Sequence, residues 1–260
     1  ERKLTMLTAY DYPTAKLLDQ SGIDMLLVGD SLAMAVLGHE DTLSVGMEEM
    51  LHHTKAVSAA AQYSLVVGDM PFLSYQVNTE QAVTNAGRFL KEGRAQAVKL
   101  EGGSQVLPQI KAILEAGIPV QGHLGLTPQS AAQLGGFKVQ ARTADTARKL
   151  TEEAQALEEA GCFSIILEAV PAEIAEKVAS RVRVPVIGIG AGAGCDGQVL
   201  VFHDMVGMLQ DFVPKFVKQY VHLAEAIQEA ASRFKSEVEE GTFPAQEHSF
   251  FLPQSEKDNL

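Results

Sequence analysis

The chain contains little cysteine, no tryptophan and few basic residues. Its 260 residues include two cysteines, and 21 basic residues stand against 33 acidic ones. Because Cys162 and Cys195 cannot build a disulfide framework, we expect a reducing, cytoplasmic environment. The net charge of −12 argues against nucleic acids and anionic membranes as partners.

Long apolar runs are also absent. The longest have the length of a β-strand, far below the ~18 residues that a membrane span needs. The first residues lead straight into such a run, without the pattern of a secretory leader. No break in composition divides the chain. We therefore expect no membrane association and a single domain over residues 1–260, with a helix and a tail at its C-terminal end.

What the chain does contain is a repeated unit, an apolar run followed by a loop or a helical pattern. The runs are continuous stretches of Val, Ile and Leu, which is typical of strands buried on both faces. Eight such units in ~250 residues predict a (β/α)8 barrel, with a doubly wound open sheet as the alternative. The predicted strands are residues 4–9, 25–29, 65–68, 97–101, 119–122, 163–167, 184–189 and 199–202. A long helix is predicted over 214–239, and a poorly ordered or neighbour-packed tail over 241–260.

Ionisable residues follow four of these runs, namely Asp30, Asp69, Glu101 and Glu168. Lys99 lies on the same face as Glu101, because side chains alternate along a strand. Active sites of such barrels lie at the C-terminal ends of the strands. We therefore predict one site at this end of the barrel.

The residue types suggest a chemistry for this site. Asp30, Asp69 and Glu101 offer the hard oxygen ligands that suit Mg²⁺, although acids after strands can also cap helices or close turns. Lys99 is expected to bind a substrate carboxylate, to neutralise Glu101, or to do both. Glu168 follows apolar residues, and a carboxylate in such surroundings can act as a base near neutral pH; the alternative is a helix cap or a loop acid.

Other motifs are weaker. The glycine-rich run 188–194 follows the seventh strand, and no long helix starts directly after it. It therefore indicates close approach of the backbone to a substrate, or a phosphate site, rather than a dinucleotide site. Ser31 could bind a carboxylate through its N–H and hydroxyl. His123, predicted just past strand five, is either a packed residue or a substrate contact, and Cys195 has no neighbouring base that would make it a nucleophile.

Six segments together resemble the ketopantoate hydroxymethyltransferase family over almost the whole chain: MLTAYDYPTAKLLDQSGIDMLLVGDS, VVGDMPFLSY, AVKLEGG, PVQGHLGLTPQS, LEAVP and PVIGIGAGAGCDGQVLVFHDM. The resemblance implies a (β/α)8 barrel similar to the phosphoenolpyruvate/pyruvate superfamily. It also implies transfer of a one-carbon unit from 5,10-methylenetetrahydrofolate to 3-methyl-2-oxobutanoate, giving 2-dehydropantoate. This reaction is the first step committed to pantothenate.

The resemblance assigns roles residue by residue. It implies that Asp30 and Asp69 bind Mg²⁺, with Glu101 near the ion directly or through water, and that Glu168 is the catalytic base. The implied contacts of the 2-oxo acid are Asp30, Ser31, Asp69 and Lys99, with His123 on the substrate side. The family forms homo-oligomers, decamers among them. It generally begins upstream of Glu1, and Ala141 stands where a glycine is common.

Two other functions compete with this one. A Mg²⁺-dependent C–C lyase of the same superfamily would share the acids and the 2-oxo acid pocket but would not use folate. Such lyases often carry a reactive cysteine on a loop, and no segment here resembles that signature. A non-catalytic metal-binding or assembly barrel is the third hypothesis.

Overall fold

In the computed structural model, which describes residues 2–210 and 212–259, eight parallel strands close into a barrel. Each strand pairs with its neighbours in sequence, and the last pairs with the first. This arrangement confirms the predicted (β/α)8 barrel over the open sheet. The strands are β1 (Leu4–Thr8), β2 (Met25–Val28), β3 (Leu65–Asp69), β4 (Ala97–Glu101), β5 (Val120–Gly125), β6 (Ser164–Glu168), β7 (Val186–Ile189) and β8 (Gly197–Leu200).

The longer helices between the strands pack against the outside of this barrel, and helix ends follow the sequence signals. Asp11 and Asn78 accept hydrogen bonds from the N–H groups of Thr14 and Gln81 at helix starts, and Gly161, in a left-handed conformation, ends the helix that precedes β6. The helices are α1 (Tyr12–Gln20), α2 (Leu32–Ala35), α3 (Met47–Ala60), α4 (Thr79–Lys91), α5 (Leu107–Glu115), α6 (Ala131–Leu134), α7 (Ala144–Ala160), α8 (Ala172–Ala179), α9 (Phe202–Met205), α10 (Leu223–Glu239) and α11 (Gln254–Lys257).

Apolar side chains form two separate layers, because successive residues of a strand face opposite sides. On β3, Val66 belongs to the layer between strands and helices, and Val67 belongs to a smaller cluster. That smaller cluster takes side chains from every strand except β5 and fills the barrel interior. Its members are Met6, Met25, Leu27, Val67, Ala97, Ile166, Ile187 and Val199. On β5 the buried Gln121 takes this place, and its amide donates to Ser164 Oγ at 2.7 Å.

The helix predicted over 214–239 is wrong in its first part, because α10 begins only at Leu223. In the preceding segment the backbone bonds to the end of α9 instead. The Tyr220 N–H donates to the Met205 carbonyl, and the Leu223 N–H donates to the Val206 carbonyl, both at 2.8 Å. The tail after α10 is exposed, with Phe250 fully open to solvent. Within the described part of the chain, every helix is too short or too polar to traverse a bilayer.

Gly68 offers a test of the packing between barrel and helices. A Cβ at this buried position of β3 would lie 2.3 Å from Phe89 Cδ1 of α4. We expect Gly68→Ala to lower the free energy of unfolding by about 1–3 kcal/mol, because the fully buried Phe89 ring cannot move aside without strain. Urea denaturation followed by circular dichroism measures the change.

The matched control is Gly87→Ala on α4, the helix that carries Phe89. A Cβ at Gly87 has no neighbour among the described residues within 4 Å. Because alanine is a better helix former than glycine, the free energy of unfolding of this variant should rise by about 0.5–1 kcal/mol. A Gly68→Ala protein as stable as Gly87→Ala would contradict the close packing of β3 on α4.

Candidate active site

The charged side chains lie one layer above the apolar interior of the barrel. Two residues further along the same strand face, Val67 is followed by Asp69, Ala97 by Lys99, and Ile166 by Glu168. His123 follows Gln121 in the same way on β5. His123 therefore lies within its strand, paired in register with Glu101, and not just past the strand as the sequence predicted. The strand geometry alone brings these ionisable groups to one end of the barrel.

Lys99 is the centre of this group. Its ammonium donates to Asp69 Oδ1 at 2.6 Å and lies 3.5 Å from Glu101 Oε1. All three residues are at most 4% exposed, so the ammonium needs these partners to remain charged. Burial lowers the pKa of Lys99, but Asp69, Glu101 and Asp30 raise it by more. Lys99 therefore stays protonated throughout the physiological range.

Asp30 lies directly beside this pair. Its backbone N–H donates to Asp69 Oδ2 at 3.1 Å, and its own Oδ2 accepts from Gln129 Nε2 at 2.9 Å. Burial, Asp69 and Glu101 raise the pKa of Asp30 well above its ordinary value, against the opposing effects of Lys99 and Gln129. The two neighbouring carboxylates therefore favour the protonated form of Asp30.

His123 connects two carboxylates. Nδ1 lies 3.5 Å from Glu101 Oε1, and Nε2 lies 3.2 Å from Glu168 Oε2. Burial and Lys99 lower the pKa of His123, but Glu101 and Glu168 raise it by more, to about 9. For Glu101, burial raises the pKa, whereas Lys99 and His123 lower it by more. His123 therefore joins the buried cluster to Glu168 at the edge of the cavity.

Two buried residues that the sequence interpretation missed fix the positions of these acids. Gln129 sits in the loop after β5, where its N–H donates to Glu101 Oε2 at 3.0 Å and its side chain binds both Asp30 and the Met70 carbonyl. The hydroxyl of Tyr75 donates to Gln129 Oε1 at 2.8 Å and accepts from the Glu101 N–H at 3.1 Å. A lone glutamine in a predicted loop carries no signal of such a role.

Ser31 and the glycine-rich run border the same cavity, which has a volume of about 1140 Å³. The Ser31 hydroxyl lies 2.8 Å from the hydroxyl of the buried Tyr10. A Cβ at Gly190 would lie 2.8 Å from Phe216, and one at Gly192 would lie 2.4 Å from Ala172. These glycines therefore permit close packing of the protein on itself. Burial and Asp196 raise the pKa of the Cys195 thiol to about 11, which fits the absence of a nucleophilic role.

A family model supplies the identity that this geometry leaves open. The model of ketopantoate hydroxymethyltransferase matches residues 1–246. The chain belongs to the ketopantoate hydroxymethyltransferase family. The sequence resemblance is thereby confirmed over nearly the whole chain.

Individual members of the family agree closely with the chain. A 3-methyl-2-oxobutanoate hydroxymethyltransferase of Syntrophobacter fumaroxidans is 64% identical over 260 residues, covering 100% of this chain and 92% of the relative. An enzyme of the same name from Enterococcus faecalis is 57% identical, over 99% of this chain and 94% of the relative.

Solved structures resemble the fold at much lower identity. Phosphonopyruvate hydrolase matches with a TM-score of 0.63 and 14% identity, over 99% of this chain and 89% of the other. A 2,3-dimethylmalate lyase, described as a member of the PEP mutase/isocitrate lyase superfamily, matches with a TM-score of 0.61 and 15% identity, over 99% and 89%. These matches show that the chain shares the barrel fold of these structures.

The side chains available as ligands decide whether a divalent cation can bind at this site. Across residues 2–210 and 212–259, no three His, Cys, Asp or Glu side chains are placed to hold an ion together. The backbone N–H of Asp30 donates to the Asp69 carboxylate, while Glu101 is held by Lys99, His123 and Gln129. Two neighbouring carboxylates fit an ion that keeps its other positions for water and substrate, as Mg²⁺ does.

Gln129 gives the prediction of this section. Gln129→Leu removes the side-chain donor to Asp30 and the Met70 carbonyl and the acceptor of Tyr75, all of which are buried. Each buried partner left unpaired costs about 1–3 kcal/mol, so we expect a loss of at least about 2 kcal/mol in the free energy of unfolding.

Gln198→Leu is the matched substitution for comparison. This exposed glutamine makes one side-chain hydrogen bond, to the Gly192 carbonyl at 2.9 Å. The free energy of unfolding of this variant should fall by no more than about 0.5 kcal/mol. If urea denaturation gave equal losses for the two variants, Gln129 would not hold the cluster together.

Proposed function

We propose that the chain transfers a hydroxymethyl group from 5,10-methylenetetrahydrofolate to 3-methyl-2-oxobutanoate, giving 2-dehydropantoate in pantothenate biosynthesis. The family supplies the reaction class, since the relatives above are named for this hydroxymethyl acceptor. The observation that carries the proposal is the position of Glu168. Its carboxylate lies next to His123, and its side chain lines the same cavity as Asp30, Asp69 and Lys99.

The keto acid is proposed to lie between Glu168 and the buried group of Asp30, Asp69 and Lys99. Lys99 and Ser31 border the cavity and would bind its carboxylate, and Asp30 and Asp69 would hold Mg²⁺ with Glu101 close by. When bound, Mg²⁺ supplies Lewis-acid polarisation of the 2-oxo group, which makes the proton on C3 more acidic. Gln129 and Tyr75 would keep the carboxylates in place as the substrate binds.

Glu168 is proposed to accept the proton from C3. Its side chain is 17% exposed, whereas the side chains of Asp69, Lys99, Glu101 and His123 are at most 3% exposed. Glu168 is therefore the acid of this set with the most open access to the cavity. C3 then forms a bond to the one-carbon unit of the donor. Overall one water is consumed, which supplies the hydroxyl oxygen, and tetrahydrofolate leaves.

Self-association belongs to the same proposal. The helix α10 buries none of its described residues, and it exposes Ile227, Phe234 and Val238. Exposed apolar surface of this kind is typical of protein interfaces. We propose that a second copy of the chain covers it. Residues 1–260 would then be one catalytic domain in a cytoplasmic homo-oligomer.

Proton exchange tests the base. With Mg²⁺ and no folate, the wild type should exchange the C3 proton of 3-methyl-2-oxobutanoate for deuterium, followed by nuclear magnetic resonance. Glu168→Gln should exchange about 10²–10⁴-fold more slowly, because the amide cannot accept the proton. Binding of the keto acid, measured by calorimetry, should persist.

Glu173→Gln, an exposed acid on the neighbouring α8, controls for the loss of one charge and should exchange like the wild type. Exchange at the wild-type rate by Glu168→Gln would contradict the assignment of Glu168 as the base. Exchange by the wild type without transfer of the one-carbon unit would instead favour the lyase.

Calorimetric titration with Mg²⁺ tests the ion ligands. In Asp30→Asn and Asp69→Asn, we expect the Kd for Mg²⁺ to rise at least about tenfold, since a neutral amide is a poorer ligand for a hard cation. Asp204→Asn removes another acid of the cavity wall and should leave the Kd within about twofold of the wild type. Unchanged affinity in both site variants would remove the proposed ligand set.

A further inference from the structure

The hydroxyl of Ser31 is not used for the purpose that its place in the chain suggests. Ser31 directly precedes α2, where a serine side chain commonly accepts a hydrogen bond from a backbone N–H of the helix. Within the described part of the chain it accepts no such bond. Its Oγ lies instead 2.8 Å from the hydroxyl of Tyr10, and the residue borders the cavity. Ser31 therefore combines a contact to a phenol with access to the cavity.

Gly29 leaves room for this orientation of Ser31. A Cβ at Gly29, just after β2, would lie 2.8 Å from Ser31 Oγ, which is closer than Cβ atoms approach other groups in proteins. A side chain at position 29 would therefore force the Ser31 hydroxyl to shift. The contact between Ser31 and Tyr10 thus depends on a glycine two residues earlier in the chain.

Tyr10 is held in place through both its backbone and its ring. It follows β1 and is 2% exposed. Its carbonyl accepts from His53 Nδ1 of α3 at 2.6 Å. Its ring stacks on the ring of His203 of α9, with the centroids 5.5 Å apart and an angle of 29° between the planes. The Tyr10 hydroxyl is therefore fixed beside Ser31 by contacts that do not involve the cavity.

The acidity of the two hydroxyl groups sets the direction of their hydrogen bond. A phenol is more acidic than an aliphatic alcohol, so the Tyr10 O–H donates and Ser31 Oγ accepts. Burial raises the pKa of Tyr10 by more than the bond to Ser31 lowers it, so the phenol keeps its proton. The proton of the Ser31 hydroxyl is then free to be donated to a ligand in the cavity.

We propose that Tyr10 is a positioning residue, which holds the Ser31 hydroxyl ready to donate to the carboxylate of the keto acid. This inference rests on the proposed function, in which Ser31 and Lys99 bind that carboxylate, and deepens it. A hydrogen bond to a charged acceptor is stronger than one to a neutral acceptor. A donor that is oriented before the ligand arrives also loses less freedom on binding than one that rotates. Tyr10 thus acts on the ligand only through Ser31.

The test is a double-mutant cycle on the full chain, with the Kd for 3-methyl-2-oxobutanoate measured by calorimetry in the presence of Mg²⁺. Ser31→Ala should raise the Kd about tenfold or more, because it removes the donor itself. Tyr10→Phe should raise it about three- to tenfold, because it removes only the group that orients the donor. In the Ser31→Ala background, Tyr10→Phe should have no further effect, since no hydroxyl is left to orient.

The rate of C3 proton exchange separates positioning from general damage to the site. At saturating keto acid, Tyr10→Phe should exchange within about twofold of the wild type, because a contact made equally to the substrate and to the transition state changes binding alone. Thr54→Val is the matched control. It removes another fully buried hydroxyl, which donates to the Met50 carbonyl at 2.6 Å within α3, and it should keep the wild-type Kd.

Two results of the cycle would overturn the proposal. One is an unchanged Kd in either single variant. The other is an equal weakening by Tyr10→Phe in the wild-type and Ser31→Ala backgrounds, since the phenol would then act on the structure and not through Ser31. If the wild type binds the keto acid but does not exchange the C3 proton, the proposed function fails, whereas the cycle still decides the role of Tyr10.

Discussion

The structure depends on one electrostatic constraint, the pairing of the buried Lys99 ammonium with Asp69 and Glu101. A charge with so little access to water is stable only when its partners are fixed in place. The barrel provides this, because Asp69 and Lys99 are paired in register on adjacent strands and Glu101 lies two residues beyond Lys99. The hydrogen bonds of Gln129 and Tyr75 then hold the acids from above. The site is thus preorganised by the same contacts that make its charges tolerable.

Much of this could be predicted from the sequence, because strand alternation and the rule for barrel active sites act locally. To predict the acids at the C-terminal ends of β3, β4 and β6, and the one just after β2, only their positions in the chain were needed. Gln129 and Tyr75 could not be predicted, since they lie in connections between strands, Gln129 in a short 3-10 turn, and their partners lie far away in the chain. The start of α10 was predicted too early for a related reason. Residues before Leu223 have helical spacing of apolar groups, but their backbone bonds to Met205 and Val206 of a preceding turn.

The contact between His123 and Glu168 could not be predicted either. The sequence alone was also compatible with His123 as a packed residue and with Glu168 as a helix cap or a loop acid. Pairing of β5 with β6 brings Gly125 opposite Glu168, and the His123 ring then reaches the carboxylate from within its strand. The longer β5 is what makes this possible, because a strand ending at 122 would have left His123 in the loop.

This contact also bears on how a proposed base could be regenerated. A carboxylate that accepts a proton from carbon must release it before the next turnover. Asp69 and Glu101 are enclosed with Lys99, and a proton on either would disrupt the pairing of the ammonium. Glu168 lies at the boundary, partly exposed on one side and 3.2 Å from His123 on the other. A proton on Glu168 can therefore leave to solvent without disturbing the buried ions, which separates proton transfer from the charges that bind the substrate.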